Sequence, residues 1–67
     1  MLIARLNAYP DWSAEVWRFG DVYRVQYEAQ FSDDFDDLDR AVAHARACIE
    51  AGEHKASITW AAVPGSV

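Results

Sequence analysis

Residues 2 to 8, Leu-Ile-Ala-Arg-Leu-Asn-Ala, alternate in polarity with Leu2, Ala4, Leu6 and Ala8 on one side. So short a run with period two reads as a strand. Tyr9-Pro10-Asp11 then supplies a turn, since proline fixes its own φ and removes a ladder donor. Two further runs, Trp12 to Phe19 and Val22 to Phe31, flank Gly20-Asp21, a two-residue loop in which glycine can take positive φ, so they form a hairpin. With that loop, Phe19 faces Val22 and every other pair is fixed. Trp12, Ala14, Val16, Tyr23, Val25, Tyr27 and Ala29 share the face expected to meet the core. Glu15, Trp17, Phe19, Val22, Arg24 and Gln26 share the other, where Trp17 opposite Arg24 is expected to form a cation-π pair.

From Phe35 the period changes. Phe35, Leu38, Val42, Ala45 and Ile49 recur at spacings of three and four, the stripe of an amphipathic helix expected from about Asp37 to Ala51. Asp36 is the expected N-cap with Asp39 three residues on, Asp36 and Arg40 are placed for an (i, i+4) pair, and Gly52 fits the position just past the C-terminus. Residues 55 to 63 alternate again, Ala56, Ile58, Trp60 and Ala62 against Ser57, Thr59, Ala61 and Val63, and read as the last strand; residues 64 to 67 read as a frayed tail. The expected fold is α+β in the order β-β-β-α-β: a mainly antiparallel sheet of about four strands with one helix packed on one face.

Sixty-seven residues leave room for one domain, residues 1 to 67. A domain this small buries only about 60% of its unfolded surface, so large side chains must compensate, and nine aromatic residues in a chain that is 52% hydrophobic are available for that. Cys48 is the only cysteine, which excludes an intrachain disulfide and favours a reducing compartment. With no apolar run long enough for a bilayer or a signal peptide, the expected location is the cytoplasm, with no membrane contact.

Charge changes the picture most. The net charge is -5, and Asp33, Asp34, Asp36, Asp37 and Asp39 carry all of it, because the six acids elsewhere balance the six bases. That sign disfavours direct binding to DNA or RNA. One or two carboxylates near a helix N-terminus complement its dipole; five crowded together repel each other and ask for a further reason. An EF-hand loop does not fit the run, since Phe35 or Leu38 falls where an oxygen ligand is required. Electrostatic mimicry does fit: a row of carboxylates on a folded rim can imitate phosphates and occupy a basic groove on another protein.

Other chemistry is thin. His44 and Cys48 stand one helical turn apart, with His54 as a conceivable third metal ligand, but soft-metal sites cluster more densely. Cys48 reads as a small buried hydrophobe and His44 as solvated. No metal, cofactor or catalytic residue is assigned, and the chain is not expected to be an enzyme. Trp17, Phe19 and Val22 beside Arg24 are residue types enriched at interfaces, so that face is expected either to meet a partner or to be covered by another strand or by a second copy in a homodimer.

The Gly20-Asp21-Val22-Tyr23-Arg24-Val25 hairpin, the acidic approach to an alanine-rich helix from Leu38 to Ile49, and one last strand resemble the layout of HicB-like antitoxin domains. Phe31-Ser32-Asp33-Asp34 stands where that family usually has a segment containing proline and glycine. In size, acidity and simplicity the chain is similar to the small phage-encoded anti-CRISPR proteins. That resemblance implies an inhibitor that covers the basic nucleic-acid-binding surface of a CRISPR effector subunit in the bacterial host cytoplasm. On this reading Asp33, Asp34, Asp36, Asp37 and Asp39 make the contact, with Trp17 and Arg24 adding a second.

Overall fold

A computed structural model describes residues 1–50 and 52–61. It shows the expected α+β architecture with one more strand than the sequence pattern implied. The order is β1 (Leu2–Ala8), β2 (Trp12–Phe19), β3 (Val22–Tyr27), β4 (Gln30–Phe31), α1 (Leu38–Ile49) and β5 (Ser57–Trp60). The strands form one antiparallel sheet in the order β4-β3-β2-β1-β5, and α1 packs across its inner face.

The β2–β3 hairpin has the expected register, Phe19 with Val22, Trp17 with Arg24 and Val16 with Val25. Gly20 takes φ +63, which a glycine-first two-residue turn requires. The run expected to continue to Phe31 instead stops at Tyr27. Glu28 and Ala29 both adopt positive φ, 53° and 64°, and turn the chain back into β4. Neither is a residue that favours such a turn, so the break was hidden behind continuous β-forming residues.

In β1 the core side is Ile3, Ala4, Leu6 and Ala8 rather than Leu2, Ala4, Leu6 and Ala8. The register shifts between Leu2 and Ala4, so an extra residue is accommodated there, Ile3 turns inward, and Leu2 is left paired with Trp17. Tyr9–Pro10 is a cis peptide in the turn to β2. At the far end of the sheet, the last strand is shorter than expected and begins at Ser57; residues 62 to 67, including the end of that alternation and the tail, lie outside the described residues.

Helix α1 begins one residue later than expected. Phe35 exchanges two 2.8 Å backbone hydrogen bonds with Tyr23, which hold it extended, and Asp36 bends the chain before the helix can start. The N-cap is therefore Asp37, whose carboxylate accepts the Asp39 N–H at 3.0 Å, and not Asp36. Because Asp36 precedes the helix, its expected (i, i+4) pair with Arg40 does not form. The C-cap is Glu50, and Gly52 has φ +59 just beyond the end; the expected last residue, Ala51, is outside the described set.

Small residues make the core. Among the described residues five of the ten core members are alanines, and the largest fully buried side chains are Ile3, Leu6, Val16 and Val25. Ala41 and Ala45 let the helix approach the sheet closely, while Tyr23, Tyr27, Phe35 and Leu38 pack around the margin. The aromatics do not supply the core as composition implied: Tyr9, Trp12, Phe19, Phe31 and Trp60 are all exposed. Trp12, expected inside, opens β2 at the rim of the inner face, and Ala29, also expected inside, is exposed in the turn.

Candidate functional site

The acidic run occupies the connection from β4 to α1, at the edge of the sheet. Ser32 and Phe35 lace this connection to β3. The Ser32 N–H donates to the Val25 carbonyl at 2.8 Å, its Oγ accepts the Val25 N–H at 2.9 Å, and the same hydroxyl donates to the Asp33 carbonyl at 2.9 Å. With Phe35 bonded to Tyr23 in both directions, the segment is a fixed rim.

All five carboxylates on this rim are exposed, but they do not have the same employment. Asp37 caps the helix, and Asp34 accepts a hydrogen bond from Arg24 Nε in an ion pair. Asp33, Asp36 and Asp39 take part in no ion pair among the described residues. The run of five thus resolves into two structural carboxylates and three whose charge is offered to solvent.

Arg24 is the hinge between this rim and the outer sheet face. Its expected cation-π partner was Trp17, directly opposite. The guanidinium instead lies over the Phe19 ring, 5.2 Å from the centroid, because Asp34 holds it on the β4 side of the strand. Trp17 is half-buried and donates from Nε1 to Glu15 at 3.2 Å. Its ring stacks beside Phe19 at 6.3 Å, and Phe19 meets Phe31 edge-on at 5.5 Å. Such tilted and offset contacts suit the ring quadrupoles. Trp17, Phe19, Phe31 and Arg24 are therefore one contiguous patch joined to the acidic rim through Asp34. Among the described residues no strand or helix covers it, so the expected covering by another strand does not operate there. Phe31 was missed by the sequence pattern because its β4 setting was hidden; counted from a turn at Glu28-Ala29, it falls opposite Gln26 on the outer face.

A different cluster was also not foreseen, although its (i, i+4) spacing could have shown it. Arg46 and Glu50 clasp Ala56, with Glu50 accepting the Ala56 N–H at 2.7 Å and Arg46 donating to the Ala56 carbonyl at 3.0 Å. The two side chains also bond to each other at 3.3 Å. The backbone N–H of Ala56, followed by Arg46, holds the Glu50 carboxyl below its usual range against an opposing effect of desolvation.

An open cleft of about 160 Å³ lies between α1 and β3–β4, lined in part by Tyr27, Phe31, Ser32, His44 and Cys48. Its volume is below the roughly 300 Å³ at which small-molecule sites begin. Burial pushes the Cys48 thiol up, away from the reactive thiolate, and pushes the Tyr27 phenol up, with the Glu28 charge adding to it. His44 is exposed and packs its ring against Phe35 at 5.2 Å, while His54 packs against Tyr9 at 5.0 Å, so the two histidines serve separate contacts. Among the described residues no group of three metal-ligating side chains converges, and no helix is long and apolar enough to cross a membrane. Comparison with family models, with curated proteins and with solved structures finds no match to this chain.

Proposed function

We propose that the chain is a non-enzymatic inhibitor that works by binding a protein, seating its acidic rim in a lysine- and arginine-lined surface that otherwise holds nucleic acid. The observation that carries this reading is the rim itself. Asp33, Asp36 and Asp39 are exposed carboxylates outside any ion pair among the described residues, on a segment laced to β3 at Ser32 and Phe35. A preordered row of like charge attracts a cationic groove at a distance and loses little conformational freedom on contact. Asp34 and Asp37 stand in the same row, and Trp17 and Arg24 add a second contact where a partner reaches onto the adjoining sheet face. The partner is a CRISPR effector subunit in a bacterial cytoplasm, which places the chain with the anti-CRISPR inhibitors.

The test is competition for DNA binding by guide-loaded CRISPR effector complexes, read by electrophoretic mobility shift. The native chain should displace DNA from its target effector, and the D33N/D36N/D39N variant should not, while keeping the native circular dichroism spectrum. Inhibition should also weaken as salt rises, since exposed charge contacts are screened within about 10 Å at 0.1 M ionic strength. A folded triple variant that inhibits as well as the native chain would remove the rim from the interface. The exposed aromatics favour a second reading, an antitoxin-like or other small interaction module; binding that survives both the triple substitution and high salt would select it.

A further inference from the structure

The outer face of the sheet differs from the rim in both chemistry and charge. Its apolar half presents Trp17, Phe19, Val22 and Phe31, with Phe19 and Phe31 exposed to 40% and 47%. Its charged side chains are satisfied within the chain: Arg5 bonds Glu15 at 2.7 Å, and Arg24 pairs with Asp34. A molecule with net charge -5 thus carries an electrically balanced aromatic face. We infer that this face binds a second copy of the same chain, sheet against sheet, to give a two-fold dimer with the helices outside.

Three observations select that occupant. A two-fold contact sets the same patch of both copies together, so a net charge on the patch would oppose an equal net charge on its mate; internally paired charges avoid this. A basic partner, by contrast, has no unmatched anion to recognise on this face. The size also fits: the molecule's two longer extents are 32 and 26 Å, which bound a face comparable to the roughly 800 Å² each partner gives to a standard interface. Finally, the core is built largely of alanine, and two of the five exposed aromatics, Phe19 and Phe31, stand on this face beside half-buried Trp17, where a sheet-to-sheet contact would cover them together. The rim lies at the sheet edge and stays available, so dimerisation is separate from the rim contact, while Trp17 and Arg24 would be covered and could add their second contact only in the monomer. Dimerisation would present two rims per particle.

Sedimentation equilibrium decides the matter. The native chain should sediment at twice its 7.6 kDa mass, and association should strengthen as salt rises, because screening relieves repulsion between two acidic molecules. F31R, which puts a cation into the aromatic patch at an exposed position, should weaken association by about thirtyfold or more, the scale of an interface hot spot. W60R is the control, since Trp60 is equally exposed but pairs with Ala4 on the helix side of β5; it should dimerise normally. Isotope-filtered NMR of the unmutated chain should show intermolecular contacts between Phe31 and Trp17 or Phe19, a readout that does not depend on any variant folding. A chain that remains monomeric to about 1 mM, weaker than the specific associations that such affinities describe, overturns the inference. So does a dimer that F31R leaves intact. The D33N/D36N/D39N chain should still dimerise, so failure of the rim reading and failure of this one are distinguishable.

Discussion

Glu28 and Ala29 show how a single turn can redirect a reading of the sequence. Both sit in left-handed backbone, where a residue with a Cβ is disfavoured by roughly 1–2 kcal/mol, yet the turn forms because Phe31 and Ser32 find partners on β3. Replacing the pair with Asn-Gly, which favours this turn, should stabilise the fold by about 1 kcal/mol and raise Tm by about 4–8 °C, read by thermal unfolding. The hairpin at Gly20-Asp21 was legible for the converse reason: its turn carries the residue its backbone demands. Ile3 was not legible, since a strand bulge leaves no mark in an alternating pattern. At the opposite extreme, Ala45 is fully buried where the helix approaches the sheet, and A45L should cost about 1–3 kcal/mol by overpacking, read as a lower urea midpoint.

Among the elements, α1 was read well because its apolar stripe was long, and its start was misplaced by one residue for a reason that lies elsewhere in the chain. Only the bridge from Phe35 to Tyr23 excludes Asp36 from the cap, and a long-range hydrogen bond has no local signature. The Arg46–Glu50 pair had a local (i, i+4) signature, but its grip on Ala56 did not. That clasp has a pH signature. Glu50 titrates lower in the folded chain than in the unfolded one, so its contribution is complete above the ordinary glutamate pKa and is lost as pH falls through its lowered value. Stability should therefore decline on acidification below the usual glutamate range near about pH 4.3, and E50Q should reduce the slope there. An E50Q unfolding profile that parallels the native one through this range would remove the clasp as its source.

For the whole molecule, the sequence made the acidic run conspicuous, but its division of labour is visible only in three dimensions, where Arg24 and a helix terminus each claim one aspartate. Likewise, composition announced the aromatics without saying that an alanine core would leave five of them outside. On the proposed reading the two unlike surfaces should respond to ionic strength in opposite senses: salt should weaken attachment of the rim to a cationic partner and strengthen self-association of the sheet. Measuring both on one preparation separates them, and a common response would show that one surface serves both contacts.

Strand order adds a consequence in time. β1 lies between β2 and β5, so the earliest made of these five strands keeps one backbone edge open until residues 57 to 60 arrive to close it. The meander from β1 to β4 needs only neighbouring contacts and can assemble early; closure by β5 spans most of the chain and comes late. Weakening that closure, as in I58A, should hasten unfolding far more than it slows folding. A nascent or truncated chain lacking β5 would carry an open edge on which strands of other chains can add.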